Sequence, residues 1–246
     1  MISRQELAEI KERKKTNLYY EEKEYLQYIF LNAVSRHDDF VFKGGTCLRI
    51  CYGLERASED LDFTSSLGLS KIRKIFYECL NDFSLLNIEH EDPVEKEHQG
   101  NIRFEVRFHG PLYNGMLNSA NTLKIDFNKR KVYSKRAVVV SKLFSDVPLF
   151  TLSVLSEEEI LSEKIRCLVN RSQPRDLYDL WVLFQKGVSV SKRLLDKKLK
   201  EENSKLSNIR LPSRKEYETD LGQLVMNLPD YEQVKDEVMS FIKNIK

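Results

Sequence analysis

The chain has 246 residues, of which 41% are hydrophobic and 32% are charged, and its formal net charge is +2. This composition predicts a soluble globular protein and argues against long disordered linkers, because glycine and proline are sparse at 9 and 6 residues. No apolar run is long enough to span a bilayer, and the charged N-terminus lacks the apolar segment of a signal peptide. We therefore expect a cytoplasmic protein without membrane contact, which agrees with four cysteines that form no C-x-x-C pair.

Two helices are predicted ahead of the first strand. Residues 2–15 are strongly charged, and from Tyr19 onward apolar residues recur at helical spacing as far as Ala33. The short apolar run at residues 40–42 then predicts a strand.

The stretch from residue 40 to residue 64 combines two signals for nucleotide chemistry. Gly44 and Gly45 precede a short predicted helix, where their N–H groups can seat a phosphate. Asp60 and Asp62 lie on one face of a strand, because residues i and i+2 project to the same side. Two such carboxylates repel each other, and a hard divalent cation such as Mg²⁺ removes that repulsion. A Gly-Gly turn or an Asp-Leu-Asp strand edge is common by itself, and their combination is what indicates a site.

Further strands are predicted downstream. Apolar and polar residues alternate over residues 102–109, which is typical of a half-buried strand. The run at residues 123–127 places Asp126 in a buried β pattern, on the face opposite its apolar neighbours. An aspartate at a strand edge or turn fits the same residue, but we favour a third metal-binding carboxylate. Residues 137–154 predict short additional strands.

From residue 156 the sequence becomes helical throughout. Ser156 and Glu159 predict a capping box at the start of one helix, and Pro174 predicts the first turn of the next. We expect residues 1–155 to form a core domain with N-terminal helices, and residues 156–246 to form a helical C-terminal domain.

Three charged residues on these two helices have no obvious role in isolation. Lys164 lies among other charged residues and, taken alone, is interpreted as a solvated lysine. Asp176 is a first-turn residue that the helix dipole favours. Asp179 shares its helix face at spacing i, i+3 and, taken alone, is interpreted as a surface residue.

Several runs together resemble the AbiEii-type nucleotidyltransferase toxins, a branch of the DNA-polymerase-β-like nucleotidyltransferase superfamily. They are K-G-G-T-C-L-R followed by L-E-R-A-S-E-D-L-D-F, then L-K-I-D-F, E-E-E-I-L-S-E-K-I-R and R-D-L-Y-D-L, in the family's order. The resemblance runs from about Tyr19 to Phe184. It implies an α+β fold, with a nucleotidyltransferase core built on a mixed β-sheet flanked by helices and a helical C-terminal region after it. It also implies Mg²⁺-dependent transfer of a nucleotide from an NTP to an acceptor.

The resemblance assigns roles to individual residues. The implied catalytic residues are Asp60, Asp62, Asp126, Lys164, Asp176 and Asp179. The implied nucleotide-binding residues are Gly44, Gly45, Thr46, Ser58 and Lys164. The implied metal ligands are Asp60, Asp62 and Asp126, the last of which is alternatively a base for the acceptor hydroxyl.

The resemblance also implies partners. The acceptor would be the 3′ end of tRNA, and the protein would act in phage defence as a toxin held in check by an AbiEi-type antitoxin. A basic segment at residues 191–215 is either a solvated face or an RNA contact, and its candidate contacts are Lys192, Arg193, Lys197, Lys198 and Lys200.

Two rival functions are also considered. One is a housekeeping or small-molecule nucleotidyltransferase. The other is a non-catalytic nucleotide-binding module, whose signature would be a lost carboxylate or lysine, and each of these residues is present here.

Overall fold

The computed structural model describes residues 1–245, which contain nine α-helices and an eight-stranded mixed sheet. The helices are α1 (Arg4–Lys14), α2 (Leu18–Val34), α3 (Gly44–Tyr52), α4 (Leu69–Leu85), α5 (Glu157–Asn170), α6 (Pro174–Gln185), α7 (Lys192–Lys200), α8 (Arg214–Leu221) and α9 (Tyr231–Lys243). The strands are β1 (Phe40–Lys43), β2 (Leu61–Ser65), β3 (Glu89–His90), β4 (Val94–His98), β5 (Asn101–His109), β6 (Asn121–Asn128), β7 (Lys135–Val140) and β8 (Phe150–Leu155). Short 3₁₀ turns lie at Leu117–Ser119 and Leu206–Asn208. The predicted α+β fold class is confirmed.

The sheet places β2 between two neighbours. The strand order is β3-β5-β6-β2-β1-β8-β7, and β4 pairs with β5 outside this path. Strand β2 runs antiparallel to β1 and parallel to β6, and β6 runs antiparallel to β5. The strand that carries Asp62 therefore lies in the interior of the sheet.

The chain forms two compact units. The first comprises residues 1–47, 59–132 and 136–154, and the second comprises residues 48–58, 133–135 and 155–246. The second unit thus contains two short segments that precede its main part in the chain. The domain boundary predicted between residues 155 and 156 stays a prediction.

Aromatic side chains dominate the core of the first unit. Phe63 of β2 stacks on Phe127 of β6 with ring centroids 5.2 Å apart, and Phe76 of α4 stacks on Phe104 of β5 at 3.7 Å. Each such burial contributes about 2 kcal/mol of hydrophobic stabilisation. Because side chains alternate along a strand, the residues between these aromatics face away from this core.

The second unit is helical, and its first long helix begins as predicted at Ser156. The Ser156 hydroxyl accepts the backbone N–H of Glu159. The reciprocal half of the predicted capping box is wrong, because Glu159 instead accepts the backbone N–H groups of Tyr133, at 2.9 Å, and Ser134. No helix among residues 1–245 combines the length and apolar character needed to cross a bilayer.

Candidate active site

Four neighbouring strands bring four charged side chains to one level of the sheet. The β1–β2 register pairs Lys43 with Asp62, the β2–β6 register pairs Asp62 with Asp126, and the β6–β5 register pairs Asp126 with Arg103. Register partners project to the same face. Two carboxylates therefore lie side by side with a cation on either flank, and we call these four residues the cross-strand row.

Arg103 holds Asp126 through a bidentate contact. Its Nε and Nη2 atoms donate to the two carboxylate oxygens of Asp126, each at 2.8 Å. The contact raises the pKa of the Arg103 guanidinium. The two side chains are 41% and 22% exposed, so solvent reaches this pair.

Asp60 lies just before β2 and extends the charged region by one position. Because Leu61 pairs with Ile125, Asp60 is level with Lys124 on β6. Burial raises the pKa of the Asp60 carboxyl, and Asp126 adds to this, while Lys124 and Arg103 act in the opposite direction. As predicted, Leu61 is fully buried while Asp60 is partly exposed. The prediction that Asp60 lies on the same strand as Asp62 is wrong, because β2 begins at Leu61.

Gly44 packs directly against Asp62. A Cβ atom at residue 44 would lie 2.4 Å from Asp62 Oδ2, and Gly44 has a φ of +80°. Both the space and the backbone conformation therefore require glycine. In the first turn of the same helix, the buried Thr46 donates its hydroxyl to the backbone carbonyl of Asp60, which ties α3 to the segment that carries the carboxylates. Gly45 lies between them and is partly exposed.

The second unit contains a separate set of charges, formed by Arg56, Lys164, Asp176 and Asp179. Lys164 Nζ lies 2.8 Å from Asp176 Oδ1 and 2.7 Å from Asp179 Oδ2. Arg56 donates to both oxygens of Asp179 at 2.6 and 2.8 Å. The Lys164 side chain is 10% exposed and the Asp179 side chain is not exposed at all. We call these four residues the buried ion cluster.

The charges of the buried ion cluster shift one another's pKa values. Burial opposes ionisation of Asp179, but Arg56 and Lys164 outweigh it and lower the pKa of Asp179 to about 2. Burial likewise opposes the charge of Lys164, but Asp176 and Asp179 raise its pKa above the ordinary value. Lys164 and Asp179 are therefore both charged at neutral pH, and their interpretation as solvated surface residues is wrong.

The basic helix α7 is only partly exposed. Lys198 is fully buried, with Nζ 2.7 Å from Glu159 Oε1 and 3.0 Å from Glu163 Oε1, so its interpretation as an RNA contact is wrong. The exposed cations of this helix are Lys192, Arg193, Lys197 and Lys200.

Sequence reasoning did not assign three cations to the site. Lys43 and Arg103 belong to the cross-strand row, and Arg56 belongs to the buried ion cluster. Arg56 is part of the R-A-S-E-D-L-D run, which marked it as a candidate without naming its partner. Ser58, two residues on, is partly exposed in the same loop.

The carboxylates of the first unit suit a hard divalent cation by donor type. Asp62 and Asp126 are cross-strand neighbours on parallel strands, which lie about 4.8 Å apart. Within residues 1–245, however, no three Asp, Glu, His or Cys side chains are arranged as a metal centre. The bidentate contact of Arg103 with Asp126 offers a physical reason, because it directs both oxygens toward the guanidinium.

Three solved structures have a fold similar to that of this chain. MenT4, a nucleotidyltransferase toxin from Mycobacterium tuberculosis, aligns with a TM-score of 0.68 at 16% identity, over 98% of this chain and 90% of its own. JHP933 from Helicobacter pylori aligns with a TM-score of 0.62 at 19% identity, over 94% and 93%. A putative nucleotidyltransferase from H. pylori aligns with a TM-score of 0.58 at 20% identity, over 91% and 92%. These likenesses establish the fold.

The family follows from the sequence itself. The family model for the nucleotidyl transferase AbiEii toxin of Type IV toxin–antitoxin systems matches residues 28–243. The chain therefore belongs to the AbiEii nucleotidyltransferase toxin family, and the resemblance seen in its motifs is confirmed. Membership supports enzymatic activity and implies an NTP substrate and an antitoxin partner. A search of curated proteins gives no significant match.

Proposed function

We propose that this protein is a Mg²⁺-dependent toxin that transfers a nucleotide from an NTP to the 3′ end of tRNA. The observation that carries the proposal is the cross-strand row, which aligns Asp62 with Asp126 beside a glycine-led helix start in a chain of this family. Phage defence and control by an AbiEi-type antitoxin complete the proposal.

The proposal assigns a part in this reaction to the predicted metal-binding and nucleotide-binding residues. Asp60, Asp62 and Asp126 hold the cation, with Asp126 alternatively taking the proton of the acceptor hydroxyl. Bound Mg²⁺ supplies positive charge that stabilises the phosphates in the transition state. Gly44 and Gly45 start α3, and their position lets its N–H groups bind phosphate. Thr46 and Ser58 complete the proposed nucleotide-binding set.

The proposal also includes three residues of the buried ion cluster. From the resemblance to the family's motifs, we propose that Lys164 contacts phosphate and that Asp176 and Asp179 are needed for activity. In the second unit the Lys164 ammonium is already within 2.8 Å of both carboxylates. Its role toward NTP therefore requires a test that separates activity from stability.

The decisive experiment identifies the product. Purified protein is incubated with total RNA and each labelled NTP in Mg²⁺, and the labelled RNA is sized and sequenced at its 3′ end. The proposal expects label at the 3′ ends of tRNA and none with the Asp62→Asn variant. Label that appears only in small molecules would favour a small-molecule nucleotidyltransferase, and expression without an antitoxin would then be harmless.

The RNA acceptor predicts a role for the exposed face of α7. Replacing Arg193, Lys197 and Lys200 by glutamine removes three exposed positive charges and should flatten the salt dependence of RNA binding, because fewer counterions are released. The matched control replaces Lys71, Lys74 and Lys96, which are 62%, 76% and 60% exposed. Equal salt slopes for the two triple variants would show that α7 is only a solvated face.

A further inference from the structure

We propose that Arg103 is a phosphate-binding residue that exchanges partners, leaving Asp126 when that carboxylate ligates a divalent cation and then binding a phosphate of the NTP. This inference rests on the proposed function and adds a residue to it that the family motifs quoted above do not include. The exchange makes metal binding and nucleotide binding depend on one side chain.

Arg103 and a divalent cation would compete for the Asp126 carboxylate. Arg103 donates to both oxygens of Asp126 at 2.8 Å. Carboxylate oxygens bind Mg²⁺ at about 2.1 Å, so a dication on Asp126 would lie within a few ångströms of the guanidinium. Two positive charges that close repel strongly. Simultaneous binding of Arg103 and the cation to Asp126 is therefore electrostatically unfavourable.

The exposure of the pair allows the exchange. The Arg103 side chain is 41% exposed, whereas Arg56, the arginine of the buried ion cluster, is 3% exposed. An exposed arginine moves between rotamers without opening the core. Arg103 can thus swing away from Asp126 while β5 stays paired to β6.

Carboxylates other than Asp126 also act on Arg103. Two of them, Asp60 and Glu105, favour its charged form. Asp60 is itself a proposed metal ligand, and Glu105 is already bound by Lys96 at 2.8 Å. The ligand that arrives with the cation is a triphosphate, and a guanidinium binds phosphate oxygens in a bidentate manner.

The test measures metal binding and nucleotide binding separately. Mn²⁺ binding without nucleotide is followed by electron paramagnetic resonance, and binding of non-hydrolysable α,β-methylene analogues of the four NTPs with Mn²⁺ is followed by calorimetry. In Arg103→Gln we expect Mn²⁺ to bind about fivefold more tightly, because the competitor is gone. The analogue that the wild type binds should bind about tenfold more weakly, because a charge-assisted contact is lost.

Two further variants serve as controls. Arg107→Gln removes the same charge from the same face of β5, where Arg107 is 54% exposed and lies 3.5 Å from Glu91, and it should change neither affinity. Arg103→Lys keeps the charge without the bidentate fork and should recover part of the nucleotide affinity. Thermal unfolding of each variant verifies that the fold is intact.

The outcomes separate this inference from the function on which it rests. If Arg103→Gln and the wild type bind Mn²⁺ equally well, or if analogue affinity is unchanged, the exchange is refuted while the proposed function stands. If neither protein binds Mn²⁺, the metal site itself is refuted, and the exchange with it.

Discussion

Two arginine–aspartate pairs of this molecule share one geometry and differ in their surroundings. In the cross-strand row, Arg103 contacts both oxygens of Asp126 and is 41% exposed. In the buried ion cluster, Arg56 contacts both oxygens of Asp179 and is 3% exposed. The contact is bidentate in both. The pairs differ in solvent exposure and in a second cation, because Asp179 also contacts Lys164 at 2.7 Å.

Exposure decides what each pair contributes. An exposed ion pair stabilises a fold by about 0–1 kcal/mol, so its members change partners at little cost. Removing one partner of a buried pair costs about 3–5 kcal/mol, because the other charge is left without compensation. The first pair therefore suits a site that exchanges ligands, and the second suits a fixed framework.

The largest expected effect is on activity, from Asp62→Asn in the cross-strand row. We expect transfer to fall by at least about 10³-fold, because a metal ligand contributes several kcal/mol to transition-state stabilisation. Stability should change little, since the lost repulsion between two neighbouring carboxylates offsets the lost negative charge beside Lys43. Steady-state kinetics and urea unfolding measure the two quantities. Retained activity in Asp62→Asn would show that Asp62 is not an essential metal ligand.

The same Asp-to-Asn change in the buried ion cluster should act on stability. Asp179→Asn leaves Arg56 and Lys164 short of one negative charge and should lower the free energy of unfolding by about 3–5 kcal/mol. The control is Asp220→Asn, whose pair with Arg175 is 29% and 42% exposed, and which should cost about 1 kcal/mol or less. Equal losses for the two variants would contradict the distinction between buried and exposed pairs.

Lys164→Met tests whether the buried ion cluster also takes part in catalysis. It should lower the free energy of unfolding by about 3 kcal/mol, because Asp176 and Asp179 lose their shared cation. If Lys164 also contacts phosphate, kcat/KM for NTP per folded molecule should fall by about 10²-fold. Unchanged kcat/KM alongside lost stability would limit Lys164 to a structural role.

The smallest expected effect is a pH dependence of stability. The pKa of Asp179 is lowered in the folded protein from an ordinary 3.8 to about 2. A lowered folded-state pKa gives stability that is present above pH 4 and is lost as the pH falls toward 2. The loss should be about 2 kcal/mol, obtained as the difference in urea unfolding between wild type and Asp179→Asn across this range. Parallel pH profiles for the two proteins would contradict it.

Local patterns in the sequence were sufficient to predict the faces of the central strands. Leu61, Phe63, Ile125 and Phe127 alternate with the carboxylates, and all four are buried. Because the period of a strand is two, this alternation fixes which side chains face solvent. The carboxylate face of the first unit was therefore predictable from sequence alone.

The partners of the charged residues were not predictable in the same way. The Arg103–Asp126 pair depends on the register of β5 and β6. Arg56 and Asp179 are 123 residues apart in the chain. Lys198 lies on a helix rich in lysine and is buried beside Glu159 and Glu163. Such long-range contacts leave no periodic signal in the sequence.

The wide separation of Arg56 and Asp179 also has a consequence during synthesis. Translation at about 5–20 residues per second needs roughly 6–25 s to cover the 123 residues between them. Throughout that time Arg56 has been made, while the carboxylate that compensates it has not. The segment at residues 48–58 therefore has to wait for the C-terminal helices before its unit can close. In the nascent chain, the contact between Arg56 and Asp179 can therefore form only after the C-terminal helix that carries Asp179 has been made.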